Sequence, residues 1–155
     1  MLVGDVMVAI RRARKGDIAG ILSVERESFE EYLQYSPSEM YYLLFEANSE
    51  GWVAEASTIV GYYILLFRKN ARVGRLYSIA VAPDWRGMGI GKALLQHAEE
   101  RAVKRKCKVM HLEVKTTNAS AIALYKKYGY TQIEFLQNYY KEGVHGIRME
   151  KRLAP

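Results

Sequence analysis

A glycine-rich turn between two apolar segments is the part of the chain whose residue types most clearly suggest chemistry. It holds three alternate glycines, Gly87, Gly89 and Gly91. The turn follows the strand-like run 76–81, and a helical pattern begins at its last glycine. Glycine lets a backbone approach a phosphate closely, and the free N–H groups that open a helix bind anions. Because Arg86 and Lys92 add positive charge on either side, the segment predicts a site for a phosphate-bearing ligand.

Two common phosphate motifs fit this turn poorly. A P-loop needs Ser or Thr after its Gly-Lys pair, whereas Gly91-Lys92 is followed by Ala93. The dinucleotide fingerprint Gly-x-Gly-x-x-Gly needs a third glycine where Lys92 or Leu94 stands. Glu113, about twenty residues further on, does imitate the acid that binds a ribose in that motif. A dinucleotide-dependent oxidoreductase is therefore the weaker alternative.

The turn instead resembles the signature Arg/Gln-x-x-Gly-x-Gly/Ala of the GNAT family of N-acetyltransferases, with Arg86, Gly89 and Gly91 at its fixed positions. A second block of that family, LEV…N…A..LY…GF, is similar to a downstream set: Leu112-Glu113-Val114, Asn118, Ala121, Leu124-Tyr125 and Gly129-Tyr130. Within the family, the chain looks most like the N-terminal protein acetyltransferases, especially the ribosomal-protein-alanine and archaeal ones. Those enzymes also carry an Asn-Tyr-Tyr near the C-terminus, which is similar to Asn138-Tyr139-Tyr140 here.

The resemblance implies a fold and a donor site. The fold is one α/β (mixed α+β) domain over residues 1–155, with a mixed central sheet flanked by helices. Two strands, ending near Val81 and Val114, splay apart to form a slot for the pantetheine arm of acetyl-CoA, the acetyl donor. Ile79 and Val81 would bind that arm through their main-chain groups. The implied donor-binding residues are Ile79, Ala80, Val81, Arg86, Gly87, Met88, Gly89, Ile90, Gly91, Lys92, Asn118 and Tyr125. No metal is implied.

The resemblance also implies two catalytic residues for direct attack in a ternary complex. Glu113 would be the base; it lies between Leu112 and Val114, where partial burial would improve it as a proton acceptor. Tyr125 would be the acid that protonates the departing thiolate. His111 shares the strand face of Glu113 and could replace or assist it as the base. An α-amine has a pKa of about 7.7–8.0, against about 10.4 for lysine, so an N-terminal acceptor needs only modest help.

Aromatic side chains are the candidates for holding the acceptor. In the family, the loop between the first two helices lines the acceptor groove, which implicates Tyr32 and Tyr35. Tyr139 and Tyr140 would hold the first backbone groups of an acceptor peptide. The implied substrates are protein N-termini, with ribosomal proteins as candidates. The alternatives are a small-molecule amine or lysine acetyltransferase, and a non-catalytic adaptor that binds acyl-CoA or RNA.

Composition limits the setting of the protein. The chain has 155 residues, of which 50% are hydrophobic, so a sizeable core is expected. It contains no apolar run of bilayer length, its first residues lack a signal-peptide pattern, and Cys107 is the only cysteine. These features predict a cytoplasmic protein, without a membrane partner, that is a monomer or a small homo-oligomer. The net charge is +6, and the densest basic run, residues 101–108, falls where a helix should end. That position favours a solvated helix end over a nucleic-acid site.

Periodicity and capping residues predict the order β-α-α-β-β-β-α-β-α-β-β. The expected strands are 7–12, 51–55, 59–67, 72–81, 109–114, 131–136 and 146–152, and the expected helices are 18–29, 37–45, one from 91, and 119–127. Asp17, Ser36 and Asn118 are the expected helix N-caps. Gly129 should end the last helix in the left-handed conformation. The chemistry must therefore be positioned by the strand before the glycine turn, the helix after it, and the strand that carries Glu113.

Overall fold

The computed structural model describes residues 1–70 and 72–154. The strands are β1 Leu2–Val3, β2 Val6–Met7, β3 Ala9–Arg12, β4 Ser49–Glu55, β5 Ile59–Phe67, β6 Val73–Val81, β7 Val109–Lys115, β8 Thr131–Lys141 and β9 Val144–Arg152. The helices are α1 Ile18–Ser28, α2 Pro37–Tyr41, α3 Ile90–Lys104 and α4 Ala119–Lys127, and α2 continues as a π-helical turn over Tyr42–Glu46. The predicted mixed α/β class is confirmed.

A seven-stranded sheet in the order β3-β4-β5-β6-β7-β9-β8 forms the centre of the fold. All of its neighbouring pairs are antiparallel except β6 and β7, which run parallel. β5 lies in the middle and is apolar on both faces. Its Tyr62 and Ile64 pack in the core that includes α1, while Tyr63 and Leu65 pack in the core that includes α3. Because successive side chains of a strand point to opposite faces, β5 holds one helical layer on each side of the sheet.

The predicted side-chain N-caps are confirmed at two helices, and the prediction is wrong at a third. Ser36 Oγ accepts from the Glu39 N–H at 3.2 Å, and the Ser36 N–H donates to Glu39 Oε1 at 2.9 Å, which completes the predicted capping box of α2. Asn118 Oδ1 accepts from the Ala121 N–H at 3.2 Å and caps α4 as expected. Asp17 does not cap α1, because its carboxylate accepts instead from the Arg14 N–H and from Arg11.

The β6–β7 pair opens where the resemblance implied a slot. Its parallel pairing runs only from Val73 opposite Val109 to Leu76 opposite Leu112. A register shift against β5 occurs at the same point, since Leu65 pairs with Leu76 and Ile64 pairs with Ser78. The extra residue, Tyr77, is a β-bulge, and a bulge bends its strand away from its neighbour. Beyond this point the two strands diverge, which confirms the predicted splay.

Several element boundaries differ from the predictions, and those at the two edges of the sheet matter most. The first strand of the sheet begins at Ala9 rather than Met7, because residues 2–7 form a separate two-stranded ribbon. The last two strands are longer than expected, and only Glu142 and Gly143 lie outside them in their turn. The Asn-Tyr-Tyr segment therefore lies on β8 rather than in a loop. Its pairing with β9 is interrupted between Leu136 and Lys141, where Asn138 has a φ of 52°.

Within residues 1–70 and 72–154, no helix is both long and apolar enough to cross a membrane. The same residues contain no group of three or more His, Cys, Asp or Glu side chains placed to hold a metal ion.

Candidate active site

At the glycine turn, where α3 begins, the first backbone N–H groups have no acceptor within the helix. Gly87 has a φ of 76° and Gly89 a φ of 90°, and the left-handed backbone at both positions favours glycine. The first helical hydrogen bond runs from the Ala93 N–H to the Gly89 carbonyl at 3.0 Å, and no side chain caps the helix. The three N–H groups before Ala93 thus have no intrahelical acceptor. They point into the turn beside the positive end of the helix dipole, a cradle that suits a phosphate group.

The side chains around this cradle divide into core residues and exposed ones. Ile90 and Ala80 are buried, so only their main-chain groups can reach a ligand, while Met88 is exposed. Arg86 is exposed, and its guanidinium donates to the Val81 carbonyl at 2.8 Å and to Ser28 Oγ at 3.1 Å. Arg86 thus occupies one of the two acceptor positions of the Val81 carbonyl and competes there with a ligand.

The opposite side of the slot is formed by the start and the middle of α4. Asn118 Oδ1 is occupied by the helix cap, which leaves its amide N–H₂ as the group that can meet a ligand. Tyr125 is half-buried, and its ring meets the Tyr130 ring edge-on at 5.7 Å. Burial raises the pKa of Tyr125 to about 12. The phenol is therefore protonated at neutral pH and can act as a donor.

Glu113 lies beyond the last β6–β7 pair, with its side chain only 6% exposed. Its Oε1 accepts from Arg75 at 2.6 Å and from the Tyr139 hydroxyl at 3.2 Å. Its Oε2 accepts from Arg148 at 3.3 Å. Two guanidinium groups thus stabilise its negative charge. This environment differs from the apolar surroundings that the sequence suggested, and it makes the carboxylate an anchor for neighbouring side chains as well as a candidate base.

Tyrosines form a continuous wall beside this carboxylate. The Tyr139 and Tyr140 rings meet edge-on at 4.9 Å, and the Tyr139 hydroxyl accepts from Arg75 at 2.6 Å. Tyr35 stacks on Tyr77 at 6.1 Å, and the Arg75 guanidinium lies 4.9 Å from the centre of the Tyr77 ring. Three of the four predicted acceptor-binding tyrosines, all except Tyr32, are thus connected to Glu113 through β6 and β8.

Tyr32 completes the wall from the α1–α2 connection, where it is 39% exposed. Two ammonium groups lie near the centre of its ring, that of Lys141 at 4.2 Å and that of Lys115 at 5.0 Å. Lys115 also donates to Glu30 Oε1 at 2.8 Å and lies 5.8 Å from the Tyr140 ring. The fourth tyrosine is therefore linked to the other three through cation–π contacts.

Sequence reasoning missed Arg75, Tyr77 and Glu25 in this region. Arg75 and Tyr77 follow from the β6–β7 register, which no local pattern encodes. Glu25 lies on α1 with none of its surface exposed, and its Oε1 accepts from the Tyr35 N–H at 3.0 Å. Burial raises its pKa, although the Tyr35 bond opposes that effect, and Oε2 is buried without a hydrogen-bond partner. A lone Glu on the apolar face of a helical pattern was the available signal.

Two other candidates lie apart from the wall. His111 Nε2 is 2.7 Å from Glu150 Oε2, so this ring is engaged by β9 rather than by Glu113. Cys107 is buried beyond the C-terminal end of α3, and burial raises the pKa of its thiol. The glycine turn lies at the other end of α3, so Cys107 is far from the phosphate cradle.

Comparisons with known proteins agree with this architecture. A model described as "Acetyltransferase (GNAT) family" matches residues 18–130. The chain is similar to the [Ribosomal protein bS18]-alanine N-acetyltransferase of Escherichia coli K12, with 43% identity over 65 residues that make up 42% of this chain and 44% of that protein, so less than half of that relative is matched. It is 33% identical over 150 residues to an N-alpha-acetyltransferase of Sulfurisphaera tokodaii, which covers 86% of each chain.

The crystal structure of the Escherichia coli ribosomal-protein-S18-alanine N-acetyltransferase has the same fold, with a TM-score of 0.83, 24% identity and 96% of both chains covered. The family match spans most of the chain, and it includes the glycine turn, the splayed strands and α4. The chain therefore belongs to the GNAT acetyltransferase family.

Proposed function

We propose that this acetyltransferase transfers an acetyl group from acetyl-CoA to the N-terminal α-amine of proteins, by direct attack in a ternary complex. The observation that carries the proposal is the meeting of two features at Glu113. The open end of the β6–β7 splay reaches it from one side, and the tyrosine wall of β8 reaches it from the other. A donor in the slot and a chain end on the wall would therefore meet at one carboxylate.

The donor half of the site fits the phosphates and the amide-rich arm of acetyl-CoA. The free N–H groups at the start of α3 would bind the diphosphate, assisted by Arg86 and Lys92. Past the splay, main-chain groups of Ile79 and Val81 would pair with the pantetheine amides, as would the side-chain amide of Asn118. The donor supplies a thioester, and an N–H of the segment 79–81 would stabilise the charge that develops on its carbonyl oxygen.

The acceptor half fits the end of a polypeptide. Tyr139 and Tyr140 lie on an irregular part of β8 and would contact the first peptide units, with Tyr32 and Tyr35 on the facing side. An N-terminal amine differs from a lysine side chain because a peptide group follows it at once. A wall of phenol groups next to the reacting centre can hydrogen-bond that peptide group. The names of the two relatives, a ribosomal-protein-alanine N-acetyltransferase and an N-alpha-acetyltransferase, support the same acceptor.

Glu113 and Tyr125 would handle the protons. A protonated α-amine is attracted to the Glu113 carboxylate, and transfer of its proton to that carboxylate leaves a neutral nucleophile. When the C–S bond breaks, the Tyr125 phenol would donate its proton to the departing sulfur and later regain one from water. Glu113 must exchange part of its bonding with Arg75 for the incoming amine, because both compete for Oε1.

Steady-state kinetics with matched peptides test this proposal. One peptide has a free N-terminus and no lysine. Its partner differs only in a blocked N-terminus and one added lysine. We expect turnover of the first alone, with rate plots that intersect as a ternary complex requires. Turnover of the blocked peptide would assign the enzyme to lysine side chains instead. Parallel rate plots would indicate a covalent route and contradict direct attack.

A further inference from the structure

A cluster of exposed cations occupies the end of the sheet farthest from the glycine turn. We call it the basic pole; its members are Arg68, Lys69, Arg72, Lys104, Lys106, Lys108 and Arg152. They come from the β5–β6 connection, the last residue of α3, the α3–β7 connection and the end of β9. The sequence run that predicted a solvated helix end supplied only the three lysines.

Main-chain hydrogen bonds fix these segments beside one another. The Lys108 N–H donates to the Arg72 carbonyl at 2.7 Å, and the Leu153 N–H donates to the Lys108 carbonyl at 2.9 Å. The Arg105 guanidinium lies 4.1 Å from the centre of the Phe67 ring, which joins the end of β5 to the end of α3. The pole is therefore a fixed feature of the fold and not a set of unrelated surface charges.

The positive charge of the pole is not neutralised within the described part of the chain. None of its seven members forms an ion pair there. The nearest buried carboxylate, Glu50, is already bonded to Arg101 and Arg105. Like charges held close together destabilise a fold unless a counter-charge offsets them, so the pole is suited to an anionic partner.

The pole surrounds a cavity of about 620 Å³. Its rim carries Arg72, Lys106, Lys108 and Arg152, and its walls are apolar, formed by Val103, Cys107, Val109 and Leu153. Among the described residues, 1–70 and 72–154, no carboxylate lines it. Cations around an apolar recess can bind phosphates while a sugar or base lies against the recess, and arginine planes can stack on exposed bases.

Two other anionic partners fit less well. The apolar residues that line the cavity are recessed, since Cys107 is 6% and Leu153 8% exposed and both valines are partly buried, so none projects to insert into a bilayer. The acetyl donor is bound elsewhere in the proposed function, because the 15 residues of α3 separate the pole from the glycine turn by about 22 Å. We propose that the basic pole binds the sugar–phosphate backbone of single-stranded nucleic acid, RNA or DNA.

Fluorescence anisotropy with a labelled single-stranded oligonucleotide, in RNA and DNA forms, tests the proposal over a series of KCl concentrations. The test protein is Lys108→Glu with Arg152→Glu. The control is Lys126→Glu with Lys127→Glu on α4, which changes the net charge equally. For about four neutralised phosphates, the slope of log K against log salt should be about −3 in the unaltered protein. The pole variant should bind at least about tenfold more weakly, with a slope shallower by about 1.4, since two cations are lost.

The control should bind the oligonucleotide within about twofold of the unaltered protein, and peptide acetylation should be unchanged in the pole variant. Equal losses in both variants would show a response to net charge alone and would overturn the proposal. No binding at low salt, or binding to anionic phospholipid vesicles without oligonucleotide binding, would also overturn it. Arg68→Glu with Lys69→Glu is a second test pair if the first fails to fold. A preference between the RNA and DNA forms would identify which nucleic acid is the partner.

Discussion

The bond between Arg75 and Glu113 allows the anchoring role of this carboxylate to be separated from a catalytic one. Glu113→Gln keeps the side-chain shape but removes the charge, which leaves the guanidinium groups of Arg75 and Arg148 facing a neutral amide. Arg75→Met removes the closer of these groups. A loss of turnover in Glu113→Gln alone would therefore have two possible causes, a missing base or a disrupted site. The double variant, Glu113→Gln with Arg75→Met, distinguishes them, because it also removes the closer of the two unpaired charges.

The size of the stability effect follows from burial. The Glu113 side chain is 6% exposed, the Arg75 side chain is 34% exposed, and the closest nitrogen–oxygen distance is 2.6 Å. Removing one partner of a fully buried pair costs about 3–5 kcal/mol. Arg75 is partly solvated, so we expect Glu113→Gln to lose about 2–3 kcal/mol of unfolding free energy. The double variant should be more stable than the sum of the single losses predicts, by about 1–2 kcal/mol.

Urea unfolding at pH 7 of the unaltered protein, the two single variants and the double variant measures this coupling. Peptide turnover is measured under conditions where all four remain folded. If Glu113 is the base, turnover in the double variant should stay about 10²–10⁴-fold down although its stability recovers. Recovery of turnover together with stability would show that Glu113 only anchors the site. Strict additivity of the stability losses would refute the ion-pair argument. Lys151→Met, which removes the partner of Glu99, should combine additively with Glu113→Gln.

Three further predictions concern the donor turn, the acid and the buried carboxylate of the sheet. Gly89→Ala and Gly143→Ala both place a side chain at positive φ and should each lose about 1–2 kcal/mol of stability. Calorimetry should show weaker acetyl-CoA binding only for Gly89→Ala, and equal binding in both would contradict a phosphate site at the glycine turn. Tyr125→Phe should lower turnover about 10²-fold with donor affinity unchanged, while Tyr128→Phe at the end of the same helix should leave turnover intact; equal turnover in the two would exclude Tyr125 as the acid. Burial alone would raise the pKa of Glu50, but its bonds to arginine and Trp52 lower it to about 2. Its contribution of about 3 kcal/mol is therefore present above pH 4.5 and lost as the pH falls toward 2, and Glu50→Gln should flatten that part of a stability–pH curve; an unchanged curve would rule the contribution out.

Features that depend on a few neighbouring residues could be predicted from the sequence. The glycine turn, the capping box at Ser36 and the Asn118 cap are examples, because a turn or a cap is specified within four residues. Asp17 shows the limit of such reasoning. Its pattern suits an N-cap, but Arg11 comes close enough in the folded chain to take its carboxylate.

The hydrogen-bond partners of Glu113 could not be predicted from the residues next to it in the sequence. Its two arginine partners lie 38 and 35 positions away in the chain, and each is placed by strand register. Arg75 is opposite His111 in the parallel pair, one strand position from the point where the pair opens. Arg148 is opposite Glu113 itself in the antiparallel pair with β9. A sequence motif located the carboxylate, but the sheet determined which charges neutralise it.

The most direct test of the central claim uses one peptide that carries both a free N-terminal amine and an internal lysine. The peptide is incubated with acetyl-CoA and the protein, and fragment-ion mass spectrometry then locates the added acetyl group. Our account predicts acetylation confined to the N-terminal residue, with none above the enzyme-free control on the lysine. Acetyl groups found on the lysine alone would contradict the assignment of the tyrosine wall to an N-terminal acceptor.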